Sequence, residues 1–302
     1  MIMDGKQLAE KIKNTLAEEV ADGFQYGFIP CLAVISVGND PASAVYVRNK
    51  QKACEAAGIK FVHQSLESNC TQKELIDVVK TLNRNQEVTA IILQLPLPDH
   101  LDAKHAIDHI LPEKDVDGLT SINTGRAANH ICPHYLPCTP LGISKLMAAY
   151  KIRDLAGTHA VIVGRSQLVG KPLINLLLDM NATVTVCHSK TVDLAQHTKQ
   201  ADVLSCAVGK PKFITADMVK PGSVVIDVGI NRVDGKLCGD VDFENVQNVA
   251  SLITPVPGGV GQMTVAALLD NVVVSSIYKD ERNRHIYYHP EKSLLELKEC
   301  GS

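Results

Sequence analysis

Residues 161–172, VIVGRSQLVGKP, join a continuous apolar run to a glycine-bearing turn and then to a helix. A strand that runs through Gly164, Ser166 and Gly170 into a helix is the start of a dinucleotide-binding βαβ unit, although the last glycine comes one residue late. The glycines let a phosphate approach the backbone, and the helix N-terminus offers oriented N–H groups. A P-loop is the competing phosphate reading. It fails because five residues separate Gly164 from Gly170 and Pro172 stands where Ser or Thr would hold magnesium.

Outward from this junction the same alternation continues. Apolar runs predict strands over 159–164, 182–187, 202–208, 224–228 and 251–255, with helices over 169–178 and 192–200. Thr139-Pro140 reads as an N-cap followed by proline at the first helical position. A doubly wound Rossmann-like domain is therefore expected over 139–265. The second strand ends Cys187-His-Ser-Lys-Thr191, without the Asp or Glu that takes a ribose hydroxyl in NAD domains. Ser189, Lys190 and Arg165 suit an added phosphate, so NADP is favoured over NAD, the alternative being a merely polar loop.

The first half also reads as parallel α/β. Leu8, Ile12, Leu16 and Val20 give one helix an apolar side. CLAVISV (31–37) does not alternate, as in a strand buried on both faces. Asp40 suits an N-cap, Pro41 the first helical position and Gly58 the stop. Further strands are expected over 61–66 and 89–95, and Thr71 with Glu74 forms a capping box. Together with a last helix over about 263–279, this makes a second domain of 1–138 plus 266–302. Thus the fold class is α/β, two domains with a cleft between them. No role is legible in the tail 280–302.

Within the first half, Tyr46 and Lys50 stand four apart, on one helix face. A lysine desolvated in a cleft can carry protons near neutral pH, and the ring offers a flat surface to an aromatic substrate. Solvated helical lysines are the common alternative. Gln94 lies at the carboxyl end of a strand, where ligands gather, or ties down its own loop. Asp117, in KDVDG, offers a carboxylate from a polar turn. TPVPGGVGQMT (254–264) carries prolines that stiffen it and glycines that admit close approach.

With 302 residues, 45% of them hydrophobic and 21% charged, the chain is expected to be an ordinary globular protein of two domains. A net charge of -3 gives no electrostatic reason to expect nucleic acid or membrane as a partner. Nine cysteines without CxxC spacing point to free thiols in a reducing cytoplasm. His105 with His109, and the group His130, Cys132, His134 and Cys138, match no common zinc module, and no metal is expected.

VGNDPASAVYVRNK, QLPLP, KDVDG, PCTPLG, VGRSQLVGKP, HSKT, VIDVGIN, GDVDF and TPVPGGVGQMT occur in the order found in bifunctional methylenetetrahydrofolate dehydrogenase/methenyltetrahydrofolate cyclohydrolases, which the chain resembles from residue 4 to about 279. The resemblance implies NADP-dependent oxidation of methylenetetrahydrofolate and hydrolysis of the product to formyltetrahydrofolate, in one-carbon metabolism and purine biosynthesis. It implies Lys50 as general acid/base, Gln94 holding it, Tyr46 stacking on the folate and Asp117 bonding the pterin. Pro257, Gly258 and Gly259 would line the substrate side. Gly164, Arg165, Ser166, Ser189 and Ile230 would bind the dinucleotide, in a homodimer paired through the nucleotide domains. Gln262 departs from the family's proline and is expected to loosen the glycine turn slightly. Two alternatives remain: a monofunctional dehydrogenase, against which Lys50, Gln94 and Asp117 speak, and a non-catalytic nucleotide-binding protein on the same fold.

Overall fold

In the computed structural model the first elements along the chain are α1 (Gly5–Gly23), β1 (Cys31–Val37), α2 (Pro41–Ala56), β2 (Lys60–Leu66), α3 (Gln72–Arg84), β3 (Ala90–Leu93), α4 (Ala103–Ile107) and α5 (Ser121–Ala128). There follow α6 (Cys138–Ala149), β4 (His159–Val163), α7 (Gly170–Asp179), β5 (Thr183–Cys187), α8 (Leu194–Thr198), β6 (Val203–Cys206) and β7 (Val224–Asp227). The last are β8 (Asn231–Val233), β9 (Lys236–Cys238), α9 (Phe243–Val246), β10 (Leu252–Ile253) and α10 (Val260–Tyr278). The structure describes residues 1–24, 27, 29–131, 133–278, 286–287 and 298–299, so most of the tail 280–302 lies outside the described residues, as does Cys132. Two compact units result: Lys11–Cys138 with Ala267–Ser302, and Met1–Glu10 with Thr139–Ala266.

The first unit is built on a parallel three-stranded sheet of order β2-β1-β3. Central β1 is buried at all seven positions, as its unbroken apolar sequence requires. Edge strand β2 is partly open to solvent, with Val62 and Leu66 packed against the core. Helix α3 lays Leu75, Ile76, Val79 and Leu82 on the core, and its Thr71–Glu74 capping box is formed in both directions. Such a cap contributes about 1 kcal/mol, and each buried leucine roughly 2 kcal/mol. At α2, the Asp40 side chain accepts from the Ser43 N–H and Pro41 fills the first turn. Gly58 follows with φ +71, which only glycine adopts freely. The C-terminal part of α10, from Ala267, belongs to this unit. There Ser275 Oγ donates to Thr89 Oγ1 at 2.9 Å and Asn271 Nδ2 donates to the Val116 carbonyl at 2.8 Å.

The second unit carries a parallel five-stranded sheet of order β10-β7-β6-β4-β5. From β4 the chain goes first to β5 on one side and then crosses to β6 on the other. The order therefore reverses between the carboxyl ends of β4 and β6, the switch point at which α/β sheets hold ligands. Met1–Glu10, placed by the sequence reading with the first half, clusters here because the Met3 N–H bonds the Ile253 carbonyl at 2.8 Å.

Three local differences from the sequence reading have physical causes. Helix α6 starts at Cys138, and the Thr139 hydroxyl pairs with that of Thr264 at 3.0 Å instead of capping it. Helix α8 is short because Asp193, at φ 50, precedes it outside helical geometry. The β8–β9 hairpin adds to the expected strands, and Asp234-Gly235 at positive φ is the turn such hairpins prefer.

Candidate active site

Helix α2 and the end of β3 bring Lys50 and Gln94 together. Lys50 Nζ donates to Gln94 Oε1 at 2.8 Å, while Gln94 Nε2 donates to the Leu95 carbonyl at 2.7 Å. The second bond fixes the amide's orientation, so its oxygen faces Lys50 Nζ. Gln94 thus bonds its own loop and the lysine at once. Gln94 is buried and Lys50 half-buried. Tyr46, one turn before Lys50, is 53% exposed, leaving a ring face open. The β3 position follows from pairing, since the Gln94 N–H bonds the Ile35 carbonyl at 2.8 Å.

Asp117 sits in the same unit on a loop braced from two sides. Its Oδ1 accepts the Cys138 thiol at 3.3 Å. Asn271 Nδ2 holds the carbonyls of Val116 at 2.8 Å and Leu136 at 3.2 Å. Burial, reinforced by the Asp117 carboxylate, pushes the Cys138 thiol well above its usual range, so the sulfur keeps the proton it donates. Neighbouring Asp115 is buried, accepting from the Thr120 N–H and Asn123 Nδ2, and burial pushes its carboxyl up to about 6. Cys138, Asn271 and Asp115 carry no sequence signal that assigns them to this site.

The remaining predicted residues lie in the five-stranded unit. Gly164 has φ +123, and a Cβ there would meet the Ala207 carbonyl oxygen at 2.4 Å, so the β4 turn lies directly against the strand-end of β6. Ser166 Oγ accepts from the N–H groups of Val169 at 3.2 Å and Gly170 at 3.4 Å, capping α7 itself. Register pairs Val163 with Cys187, so Arg165 and Ser189 each stand two residues past a paired position on adjacent strands. The turn between is closed by its own bonds, His188 N–H to Thr191 Oγ1 and Thr191 N–H to the His188 carbonyl, both 2.8 Å. Arg165, Ser166, Ser189 and Lys190 are left exposed, a donor set that fits a phosphate and contains no carboxylate. Ile230 follows β7 and is 51% exposed.

Pro257, Gly258 and Gly259 form the turn into α10. Gly258 has φ +108, and a Cβ on Gly259 would meet the Pro255 carbonyl oxygen at 2.5 Å, so packing alone already requires glycine there. The Gln262 N–H donates to the Gly259 carbonyl at 3.2 Å, a bond proline cannot make. No group of three or more His, Cys, Asp or Glu suited to a metal occurs among the described residues, and Cys54, Cys70, Cys138, Cys187, Cys206 and Cys238 form no disulfide among the described residues.

These features define an α/β protein with a dinucleotide-type sheet in one unit and a lysine–amide pair at a strand end in the other. The family model for the tetrahydrofolate dehydrogenase/cyclohydrolase catalytic domain matches residues 3–117, and that for the NAD(P)-binding domain of the same family matches residues 137–280. The chain belongs to the tetrahydrofolate dehydrogenase/cyclohydrolase family. It is 52% identical over 276 residues to the bifunctional protein FolD of Campylobacter hominis, covering 91% of this chain and 96% of that one. The crystal structure of the bifunctional enzyme FolD from Campylobacter jejuni is 49% identical, with TM-score 0.90 over 94% of this chain and 99% of that one. The Trypanosoma brucei dehydrogenase-cyclohydrolase, complexed with NADP cofactor and inhibitor, is 36% identical with TM-score 0.86, over 91% and 97% of the two chains.

Proposed function

We propose that this chain is a bifunctional folate enzyme that oxidises 5,10-methylenetetrahydrofolate with NADP and hydrolyses the methenyl product to 10-formyltetrahydrofolate. The observation that carries the reading is the 2.8 Å bond from Lys50 to a Gln94 amide whose orientation is itself fixed. When bound, NADP accepts the hydride lost by the methylene carbon.

In the hydrolysis, a water oxygen adds to the cationic methenyl carbon and must lose a proton. Lys50, acting as base, takes it. The bond from that carbon to one ring nitrogen then breaks, the nitrogen receives a proton and the carbon becomes a formyl group, with one proton released overall. Gln94 keeps the lysine aimed at the reacting carbon, Tyr46 stacks on the folate ring and Asp117 anchors the pterin by hydrogen bonds. Pro257, Gly258 and Gly259 line the substrate; the substrate domain comprises 1–138 plus 266–302 and the nucleotide domain 139–265, the first ten residues clustering with the latter. In the latter Gly164, Ser166 and Ile230 hold the dinucleotide, while Arg165 and Ser189 take the phosphate that distinguishes NADP from NAD. Homodimerisation through the nucleotide domains, residence in the cytoplasm and supply of formyl groups to purine biosynthesis complete the proposal.

The test is a spectrophotometric assay with methylenetetrahydrofolate and NADP or NAD, followed by methenyltetrahydrofolate alone, on the unaltered protein and Lys50→Met. NADP reduction in both and methenyl loss only in the unaltered protein are expected. Undiminished hydrolysis by Lys50→Met removes Lys50 from the role. Absence of both signals favours a non-catalytic nucleotide-binding protein.

A further inference from the structure

Two aspartates of the five-stranded unit, Asp227 and Asp240, are 2% and 0% exposed and take no part in the chemistry above. Asp227 ends β7. Its Oδ1 accepts from the Asp240 N–H at 2.9 Å and its Oδ2 from the Val241 N–H at 3.0 Å. That grip presents the Asp240 side chain toward the segment after β6. Asp240 Oδ2 accepts from the N–H groups of Val208 at 2.6 Å and Gly209 at 3.0 Å, and Oδ1 from Lys210 N–H at 2.8 Å and Asn231 Nδ2 at 2.9 Å.

Space for both carboxyl groups is reserved by glycine. A Cβ on Gly239 would stand 1.7 Å from Asp227 Oδ2, and one on Gly229 would stand 2.0 Å from Asp240 Cγ. The two motifs VIDVGIN and GDVDF are thereby explained as one device: each supplies an aspartate and the glycine that accommodates the other.

Residues 207–210 flank the sheet's switch point. Ala207 faces Gly164, and Gly209 and Lys210 are exposed beyond it. Three successive N–H groups turned toward one carboxyl group fix such a loop far more firmly than its own short-range bonds would. Through Asn231 the same group fixes the residue next to Ile230.

We infer that Asp240 is a positioning residue for the nucleotide: it touches no ligand, but sets residues 208–210 and Ile230 at the switch point into the arrangement that binds NADP. The inference rests on the nucleotide-binding reading above. It predicts an effect on nucleotide binding separate from one on methenyl hydrolysis, whose proposed residues Lys50 and Gln94 belong to the other unit.

The experiment uses the full-length protein, Asp240→Ala and Asp240→Asn. NADP affinity is measured by calorimetry, methenyltetrahydrofolate hydrolysis is measured without nucleotide, and amide hydrogen exchange is followed at residues 208–210. Asp240→Ala is expected to weaken NADP binding at least tenfold and speed those amides' exchange at least tenfold, with hydrolysis within twofold. Asp240→Asn, retaining one acceptor oxygen, should fall between. Unchanged affinity in a folded Asp240→Ala, or equal losses of affinity and hydrolysis, overturns the inference. Should neither variant fold, exchange in the unaltered protein decides: unprotected amides at 208–210 overturn it and protected ones support it. Absence of NADP binding by the unaltered protein overturns the nucleotide reading itself, which separates that failure from a failure of Asp240.

Discussion

At the scale of single residues, the site depends on side chains whose partners are far away in the chain. Lys50 and Gln94 are 44 positions apart, and Cys138 and Asp117 are 21 apart. Cys138 yields a prediction about how such a brace works. Its thiol donates to Asp117 Oδ1, and burial keeps the sulfur protonated, so the group acts as a neutral donor rather than as a second anion. Cys138→Ala removes the donor and is expected to raise KM for methylenetetrahydrofolate severalfold with kcat little changed, because the carboxyl group remains but is free to turn. Cys138→Ser restores a donor and is expected to return KM to within about twofold of the unaltered value. Steady-state kinetics of the two variants check this. Equal KM in both would show that packing, not donation, is what the sulfur supplies.

Among elements, legibility followed the range of the interactions that make them. The Asp40 cap with Pro41, and the Thr71–Glu74 box, are complete within four residues and were readable as written. The buried strands β1 and β4 are marked by unbroken apolar runs: β1 spans the expected 31–37, and β4 ends one residue early, at Val163, where the Gly164 turn takes over. Gln94 and the Gly164 turn are identifiable as candidates from residue type and place at strand ends, and Lys50 from its helical spacing to Tyr46. The brace on Asp117 and the Asp227–Asp240 device are not, because hydrogen bonds between distant segments leave no periodicity in either. Helix α10 illustrates the limit in one position. Gln262, expected from sequence to loosen the glycine turn slightly, donates its N–H to Gly259 and is exposed, so its side chain has little packing to lose. Gln262→Pro lies in the first turn, where proline is tolerated, so loss of the N–H bond and gain in backbone rigidity offset each other. A melting temperature within about 3 °C of the unaltered protein is expected, corresponding to a change of less than about 1 kcal/mol. A fall of 10 °C would show that the Gly259 bond anchors the turn.

For the whole molecule, stability against pH is set by carboxyl groups that burial has shifted in opposite directions from the exposed ones. Burial pushes Asp115 up to about 6 and Asp227 up to about 7, the charge of facing Asp240 adding to the latter, against backbone N–H bonds from Val241 and Asp240 that lower it. In the unfolded chain both titrate near about 4. Between about pH 4 and pH 7 the folded protein therefore holds protons that the unfolded chain has released, and stability falls as pH rises, by up to a factor of ten in the folding equilibrium per pH unit and group. The contribution is complete below the unfolded value and gone above pH 7. Half-buried His134 opposes it, since burial lowers its pKa and the unfolded chain binds the extra proton just below neutrality. Glu74, Asp154, Asp202 and Asp217, held low by hydrogen bonds, act only under about pH 4, where their contribution is lost on acidification. Urea denaturation midpoints from pH 4.5 to 8 are expected to decline with rising pH. Asp227→Asn, whose amide stands in for the protonated acid, should flatten that decline up to pH 7, and Asp115→Asn should do so up to pH 6. If both variants keep the slope of the unaltered protein, the two buried carboxyl groups are not the titrating sites, and Asp227 enters the fold already ionised.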